Sequence, residues 1–395
     1  MSGQQLNCVV FGAGALGLGF LGPELAVDCR ITYLDIPAKA ALLDHLHERG
    51  EYLLNQSGLS MRAVTVRGVD GACIGQGDDR DARRALEEAD LVFTAVGEPN
   101  LPALVPLLAQ ATQVRSQDRP LRILCGENGV DIARGLREAV AGHMGRDPAR
   151  ALRVGDTVMG RMCRVVERPS PPVRPVAPGI EWAAVSEPFY GIPVEEHAVD
   201  GLARIPLAVR SRSPARFSAA EDNKMLAHNG LHLVLGALGY LRGALYFSDL
   251  REEPDLMELA QRLLAEEVAP TLLRKHAGAL DRNECLNYCD SILRRITCPV
   301  FHDDIERGVR GIMRKLQPWE RLVYSIRAVA EQGIEPVCFA TGLAGAVFVG
   351  QRSGETEQEF REVLTEHCGF DPSGDARLID LITARRDAVE DGEAP

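Results

Sequence analysis

Lysine is scarce in this chain. Of its 44 basic residues only Lys39, Lys224, Lys275 and Lys315 are lysines. Where positive charge alone is needed the chain uses arginine, whose guanidinium does not give up its proton in proteins. An ammonium does so once burial or a neighbouring cation lowers its pKa. A retained lysine such as Lys224 is therefore a candidate base. Other patterns are missing too. No tyrosine has a lysine four residues on, which excludes the Tyr-x-x-x-Lys chemistry of short-chain dehydrogenases. The ten cysteines are scattered without a CxxC pair, and no thiolate–histidine cluster suggests zinc. Cys285 and Cys289 stand at helical spacing and read as two small apolar residues on one helix face.

No apolar run is long enough to span a bilayer, and no basic-then-apolar leader opens the chain. The expectation is a cytoplasmic protein without membrane contact. A formal charge of −12 argues against nucleic acid as a partner and requires a local basic cluster for any anionic small molecule. With 395 residues, 46% hydrophobic and 25% charged, the chain has the composition of an ordinary globular protein and the length for two cores.

Strands alternate with helices in the first half. Residues 6–12 run apolar without alternation, as a buried parallel strand does. Residues 30–35 form a second strand ending in an acid, and 38–49 has helical periodicity. Residues 52–69 read as two strands joined near Ser57-Gly58. Further strands are expected at 91–96 and 121–125, with helices at 101–111 and from Val130. Residues 169–188 are proline-rich and predict an irregular crossing, while 181–199 is strand-like. From Ala219 the pattern is helical, with helices at 222–246, 256–276, 281–296, 303–316, 318–332 and 357–368 and a frayed acidic last dozen residues. The expected fold is α/β: a Rossmann-type, doubly wound, mostly parallel sheet in residues 1–205, then a mostly helical catalytic domain in 206–395, with the active site in the cleft between them.

A glycine-rich turn, Gly12-Ala-Gly14-Ala-Leu-Gly17-Leu-Gly19, follows the first strand and opens a helix, the context in which such a motif cradles a pyrophosphate. Gly12 allows the turn, Gly14 the approach of the phosphates, and Gly17 close helix–strand packing. Asp35 ends the next strand, where a carboxylate accepts from ribose hydroxyls and repels a 2′-phosphate. NAD is the expected cofactor. Thr94-Ala95-Val96-Gly97 and Glu127-Asn128-Gly129 fall at the carboxyl ends of further strands, where ligands bind in such sheets.

The segment Lys224-Met-Leu-Ala-His-Asn229-Gly-Leu-His232 concentrates an amine, a carboxamide and an imidazole within about two helical turns. A dehydrogenase removes a hydroxyl proton while hydride leaves carbon. Neutral Lys224 can take that proton. Asn229, with Asn128, can donate to the developing oxyanion. His232 can orient the hydroxyl, and His228 competes for that role. Glu221 can pass the proton onward or simply sit solvated. Arg307, Arg310 and Arg314, with Lys315 and Arg321 nearby, make a basic face fit to grip a phosphate or pair with Glu306 and Glu320.

The spacing K-x-x-x-x-N-x-x-H at Lys224, Asn229 and His232 resembles the signature of the polyol-specific long-chain dehydrogenases, the mannitol dehydrogenase family. The resemblance covers most of the chain: Phe11–Phe20 (FGAGALGLGF), 91–97 (LVFTAVG), 125–128 (CGEN), Asp303-Asp304-Ile-Glu306-Arg307 and Arg314-Lys315-Leu316 are all similar to family motifs. It implies a metal-independent oxidoreductase with a lysine base and two asparagines as oxyanion hole, at Lys224, Asn128 and Asn229. It also implies that His232, Arg307, Lys315 and Arg161 contact substrate, that Gly19 and Phe20 belong to the cofactor loop, and that the protein is a monomer. The last motifs and the length are most similar to members acting on a phosphorylated polyol, mannitol 1-phosphate-like, and its ketose, fructose 6-phosphate-like. Hexuronate (tagaturonate or fructuronate) reductases and neutral-polyol dehydrogenases are the alternatives, and a non-catalytic NAD-binding regulator is a third. Two departures bear on substrate: Gly160-Arg161 replaces the family's Asp-Arg, and Cys298 replaces the asparagine before Pro299.

Overall fold

The computed structural model describes residues 5–75, 77, 79–129 and 131–390. The chain divides into two compact units, Met1–Phe217 and Ser218–Pro395.

The first unit holds strands β1 (Leu6–Phe11), β2 (Cys29–Asp35), β3 (Glu51–Ser57), β4 (Met61–Arg67), β5 (Val69–Cys73), β6 (Leu91–Thr94), β7 (Leu121–Cys125) and β8 (Leu152–Asp156), then β9 (Cys163–Glu167), β10 (Trp182–Ser186), β11 (Ile192–Glu195) and β12 (Val209–Arg212). Six form one sheet in the order β5-β2-β1-β6-β7-β8, and every neighbouring pair is parallel. The apolar run of β1 has a simple cause. Cys8 and Val10 pack into the core on one face, and Val9 and Phe11 into the core on the other. A strand covered on both faces has no polar side to alternate with. Strand order reverses between β1 and β6, which makes the loops after these two strands the ligand-binding crevice of such a sheet.

A second sheet, β4-β3-β10-β9, stands beside the first in sequence logic only partly anticipated. The expected strand pair at 52–69 is β3 and β4, antiparallel, but Val69 begins β5 and joins the large sheet. Trp182–Ser186, where the proline-rich crossing and the strand-like stretch 181–199 overlap, is a strand. It pairs with β3 on one side and β9 on the other, and Ala183, Ala184 and Val185 are fully buried. Partners distant in sequence make it a strand, and a local pattern does not show them. β12 pairs in parallel with β11, and this pair belongs to the first unit, which ends at Phe217.

The second unit is helical. A helix at Pro214–Asn223 runs on as a π-helical turn, Lys224–Gly230, and an α-helix, Leu231–Leu241. Others follow at Pro254–Arg262, Arg282–Ile296, Arg321–Glu331, Val337–Arg352 and Ala376–Glu390. The helix expected over 303–316 is instead two short pieces, Ile305–Val309 and Met313–Leu316. Arg310 leaves the helical region with ψ 129°, and Gly311 takes φ +62°. Arg307, Arg310 and Arg314 therefore do not share one helix face. The last dozen residues are not all frayed, since helix continues to Glu390; residues 391–395 lie outside the described residues, as does the expected helix start at Val130.

Val337–Arg352 is buried along nearly its whole length and apolar all round, so it carries no amphipathic stripe to announce it. Its first amides are capped from a distance. The buried Glu267 carboxylate accepts from the backbone N–H of Cys338 (2.5 Å) and Phe339 (3.2 Å). Burial nevertheless pushes the Glu267 pKa up to about 7. No helix among the described residues is long and apolar enough to cross a membrane.

Candidate active site

The chain leaves β1 at Phe11 and is helical from Ala15 to Leu25. Between them the glycines divide their work. Gly12 has φ +102°, and a Cβ there would stand 2.5 Å from the Ala95 carbonyl oxygen. A Cβ on Gly17 would stand 1.9 Å from the Gly12 carbonyl oxygen. A Cβ on Gly14 would meet nothing within 4 Å. Gly12 and Gly17 thus serve the turn, and Gly14 marks its open side, at a helix start where free N–H groups favour an anion. That cradle fits a dinucleotide pyrophosphate. The Asp35 carboxylate is tied to the same loop, accepting from the Ala13 N–H (2.7 Å) and the Ile36 N–H (2.7 Å).

Across the switch point, the Ala95 N–H donates to the Phe11 carbonyl (2.8 Å). Glu127, named from the sequence only as part of its loop, joins two loops: Thr94 Oγ1 donates to its Oε2 and the Val96 N–H to its Oε1 (3.0 Å). Thr94 is buried, Ala95 and Val96 are partly exposed, and Gly97 is exposed with φ +84°. Asn128, next to this clamp, is exposed.

Three residues expected at the site lie enclosed in the first unit. Phe20 is fully buried in the core, with the Arg161 guanidinium 4.7 Å above its ring. Gly19 is also buried, and a Cβ on it would stand 3.0 Å from Cys163 Sγ; it is a packing glycine. The Arg161 side chain is wholly enclosed. Its Nε donates to the Phe189 carbonyl (2.6 Å), Nη1 to the Gly19 carbonyl (3.0 Å) and Nη2 to the Glu24 carboxylate. With every nitrogen engaged, Arg161 braces the core. Gly160 belongs to the same packing, because a Cβ there would stand 2.9 Å from the Phe189 ring.

In the second unit, Lys224 opens the π-helical turn, and Asn229 and His232 follow on the same continuous helical run. Lys224 is partly buried. Burial, then the charge of Arg321, push its pKa down to about 8, against a smaller opposing pull from Glu221. The amine is therefore poised to exchange a proton near neutral pH. His232 is held on two sides. Its Nε2 meets Asp303 Oδ2 at 3.1 Å, and its ring lies 4.1 Å from that of Phe247. Burial alone would raise the Asp303 carboxyl, but the His232 hydrogen bond and the Arg307 guanidinium hold it at about 2. An ionised carboxylate only accepts, so His232 Nε2 carries the proton and Nδ1 is an acceptor. Burial also lowers the His232 pKa, which keeps the ring neutral.

Arg307 donates from Nε to the same carboxylate (Oδ1, 2.7 Å). The Lys315 ammonium is buried and donates to the Gly308 carbonyl (2.7 Å). Burial, followed by the charges of Arg321, Arg314 and Arg307, pushes its pKa down to about 7. Glu320 answers two of these cations, Arg314 at 3.0 Å and Arg321 at 3.5 Å. Among the described residues, Arg307 pairs with Asp303, and Arg314 and Arg321 share Glu320, with the Lys315 ammonium beside them.

Sequence reasoning missed a buried cluster just ahead of Lys224. Asp222 Oδ2 accepts from His276 Nε2 (2.6 Å) and Lys275 Nζ (2.9 Å), and Oδ1 accepts from the Tyr324 hydroxyl. It ties the ends of two other helical segments to the residue two before the candidate base. Only Asp222's place next to Lys224 could have hinted at it.

A parallel nucleotide-binding sheet with an open glycine cradle, in one chain with a helical unit whose lysine is driven toward neutrality, defines the class of dinucleotide-dependent oxidoreductases. Within that class the chain belongs to the mannitol dehydrogenase family: residues 6–206 match the mannitol dehydrogenase Rossmann domain and residues 218–363 the mannitol dehydrogenase C-terminal domain. It is 30% identical over 368 residues to a mannitol-1-phosphate 5-dehydrogenase of Shouchella clausii, covering 92% of this chain and 94% of that one. It is 29% identical over 321 residues to the Geobacillus thermodenitrificans protein of the same name, covering 80% of each. The fold is that of D-sorbitol dehydrogenase in substrate-free form (TM-score 0.77, 16% identity, 100% of this chain and 96% of that one). It is equally that of Pseudomonas fluorescens mannitol 2-dehydrogenase, solved as a ternary complex with NAD and D-mannitol (TM-score 0.71, 14% identity, 100% of this chain and 93% of that one).

Proposed function

We propose that this protein is an NAD-dependent dehydrogenase interconverting a phosphorylated polyol, mannitol 1-phosphate-like, with its ketose, fructose 6-phosphate-like, and that Lys224 is the general base. The observation that carries the reading is the Lys224 amine: partly buried, beside a cation, with its pKa pushed down to about 8. Bound NAD supplies the hydride acceptor. Lys224 takes the hydroxyl proton, His232 Nδ1 accepts from and orients a substrate hydroxyl, and the Asn229 amide donates to the developing oxyanion, with Asn128 as the second donor. These groups do the work without a metal. Gly12, Gly14 and Gly17 seat the pyrophosphate, the loop 94–97 lines the same crevice, and Asp35 receives the ribose hydroxyls and repels a 2′-phosphate.

The phosphate preference is supported by the surplus of cations around Glu320. Arg307 and Lys315 would hold the substrate's polar end, and Arg314 and Arg321 its charge. The relatives named for mannitol-1-phosphate 5-dehydrogenase activity favour the same substrate. As part of this reading the enzyme works as a cytoplasmic monomer, which light scattering and cell fractionation check.

The test is NADH oxidation by the purified protein against fructose 6-phosphate, fructose, tagaturonate and fructuronate. The highest kcat/KM is expected with fructose 6-phosphate. A preference for a hexuronate or for uncharged fructose overturns the substrate assignment, and tight NADH binding with no turnover of any ketose makes the protein a regulator instead. Faster turnover with NADPH than with NADH would contradict the role given to Asp35.

A further inference from the structure

His228 sits inside the π-helical turn, four residues after Lys224 and four before His232, and is 8% exposed. Its Nδ1 is buried and meets no protein partner among the described residues. Buried side-chain nitrogens in a packed protein have partners in the great majority of cases, because an unpaired one costs stability. The other ring on this run shows the usual arrangement: His232 has Asp303 and Phe247. A histidine kept for packing alone would be replaced at a gain by an apolar residue of its size. Helices Arg282–Ile296 and Arg321–Glu331 bring Arg295 and Arg321 to it, and Lys224 and His232 act on it from its own segment. Burial first, then the charges of Arg295, Lys224 and Arg321, drive its pKa well below the ordinary value, so the ring is neutral. A neutral imidazole nitrogen pairs with a hydroxyl, which can donate or accept.

We propose that His228 is a specificity-determining substrate contact, its Nδ1 sharing a hydrogen bond with a hydroxyl of the polyol or ketose on the carbon chain next to the atom that reacts at Lys224. The inference rests on the proposed function and adds a residue to that site. The partnerless nitrogen is completed when the substrate enters, and the free enzyme carries its cost.

The experiment compares full-length wild type with His228→Leu and His228→Gln. Kinetics with fructose 6-phosphate, NADH titration by fluorescence, and the Tm with and without ketose are measured. His228→Leu should raise the KM for ketose about tenfold, the loss of one hydrogen bond. NADH affinity should hold, and the Tm of the free enzyme should stay level or rise. The stabilisation given by added ketose should shrink. His228→Gln, which keeps a hydrogen-bonding end, should recover part of the KM. An unchanged KM in His228→Leu overturns the proposal whatever the Tm does. So does a raised KM that comes with a fallen Tm and is not recovered by His228→Gln, since that pattern belongs to packing. If wild type neither reduces the ketose nor is stabilised by it, the functional reading fails first and takes the contact with it.

Discussion

The glycine loop of the first unit and the Lys224 turn of the second are both short motifs, yet they do their work by different physics. In the loop the side chains are absent and the backbone is the instrument. Gly12 and Gly17 exist because a single added carbon would strike a carbonyl oxygen at 2.5 and 1.9 Å. In the turn the side chains are everything, and their chemistry is set by residues far along the chain. Arg321 lowers Lys224, Asp303 holds His232 across 71 residues, and Asp222 lies bound to His276 and Tyr324. A backbone cradle is written in consecutive residues. An electrostatic setting has to be assembled.

The sharpest way to break this contrast is Lys224→Ala. It should lower kcat by about 10³-fold, within the range for losing a general base, and leave NADH titration nearly unchanged. A loss of only a few-fold would take the base role from Lys224 and turn attention to Lys315, the other amine pushed down, to about 7.

Within the second unit, electrostatics also governs stability. Glu267 has its pKa raised from 4.5 to about 7, so its contribution is fully present below 4.5 and is lost as pH rises through about 7. The loss amounts to about 3 kcal/mol. Glu267→Gln should flatten the fall of Tm across that window in thermal melts at pH 4.5 to 8. An unaltered slope would mean that another group titrates there.

The loop makes its own prediction by pairing two glycines. Gly17→Ala should lower the Tm by several degrees, from overpacking of about 1–3 kcal/mol or more, and weaken NADH binding with it. Gly14→Ala, with open space around its Cβ, should leave the Tm in place and weaken NADH about tenfold. Equal effects of the two on Tm would erase the distinction between turn and cradle.

The smallest effect is expected at Arg321. Arg321→Gln removes a cation that lowers Lys224, so the Lys224 pKa should rise. The ascending limb of kcat for polyol oxidation should then move to higher pH, and ketose reduction should persist to higher pH. A rise in KM for the phosphorylated ketose without movement of the limb would make Arg321 a phosphate ligand only.

Much of the fold was legible because it is local. β1 reads apolar from its own residues, the glycine loop follows it, and Asp35 ends the next strand. The candidate catalytic residues were picked out for the same reason, as three chemically distinctive side chains on one stretch. Legibility ended where a distant partner decides. The strand-like stretch 181–199 holds Trp182–Ser186, but its pairing with β3 and β9 is written in no local pattern. The helix expected over 303–316 breaks at Arg310 and Gly311, which separates arginines that spacing alone placed on one face. Arg161 matched a family position and proved to be clasped by Glu24, 137 residues away. Glu127 and Asp222 act through neighbours that no spacing rule relates to them.

Consecutive residues were enough to determine the parallel sheet, its dinucleotide cradle, the helical second half and the identity of the candidate base, since periodicity, turn chemistry and side-chain type are properties of neighbours in the chain. Tertiary structure alone decided the proton affinities of Lys224, Lys315 and His228, the tautomer of His232, and which arginines brace the core and which surround the lysine. Those depend on burial and on charges a few ångströms away in space, and the chain that supplies them arrives from dozens of residues distant.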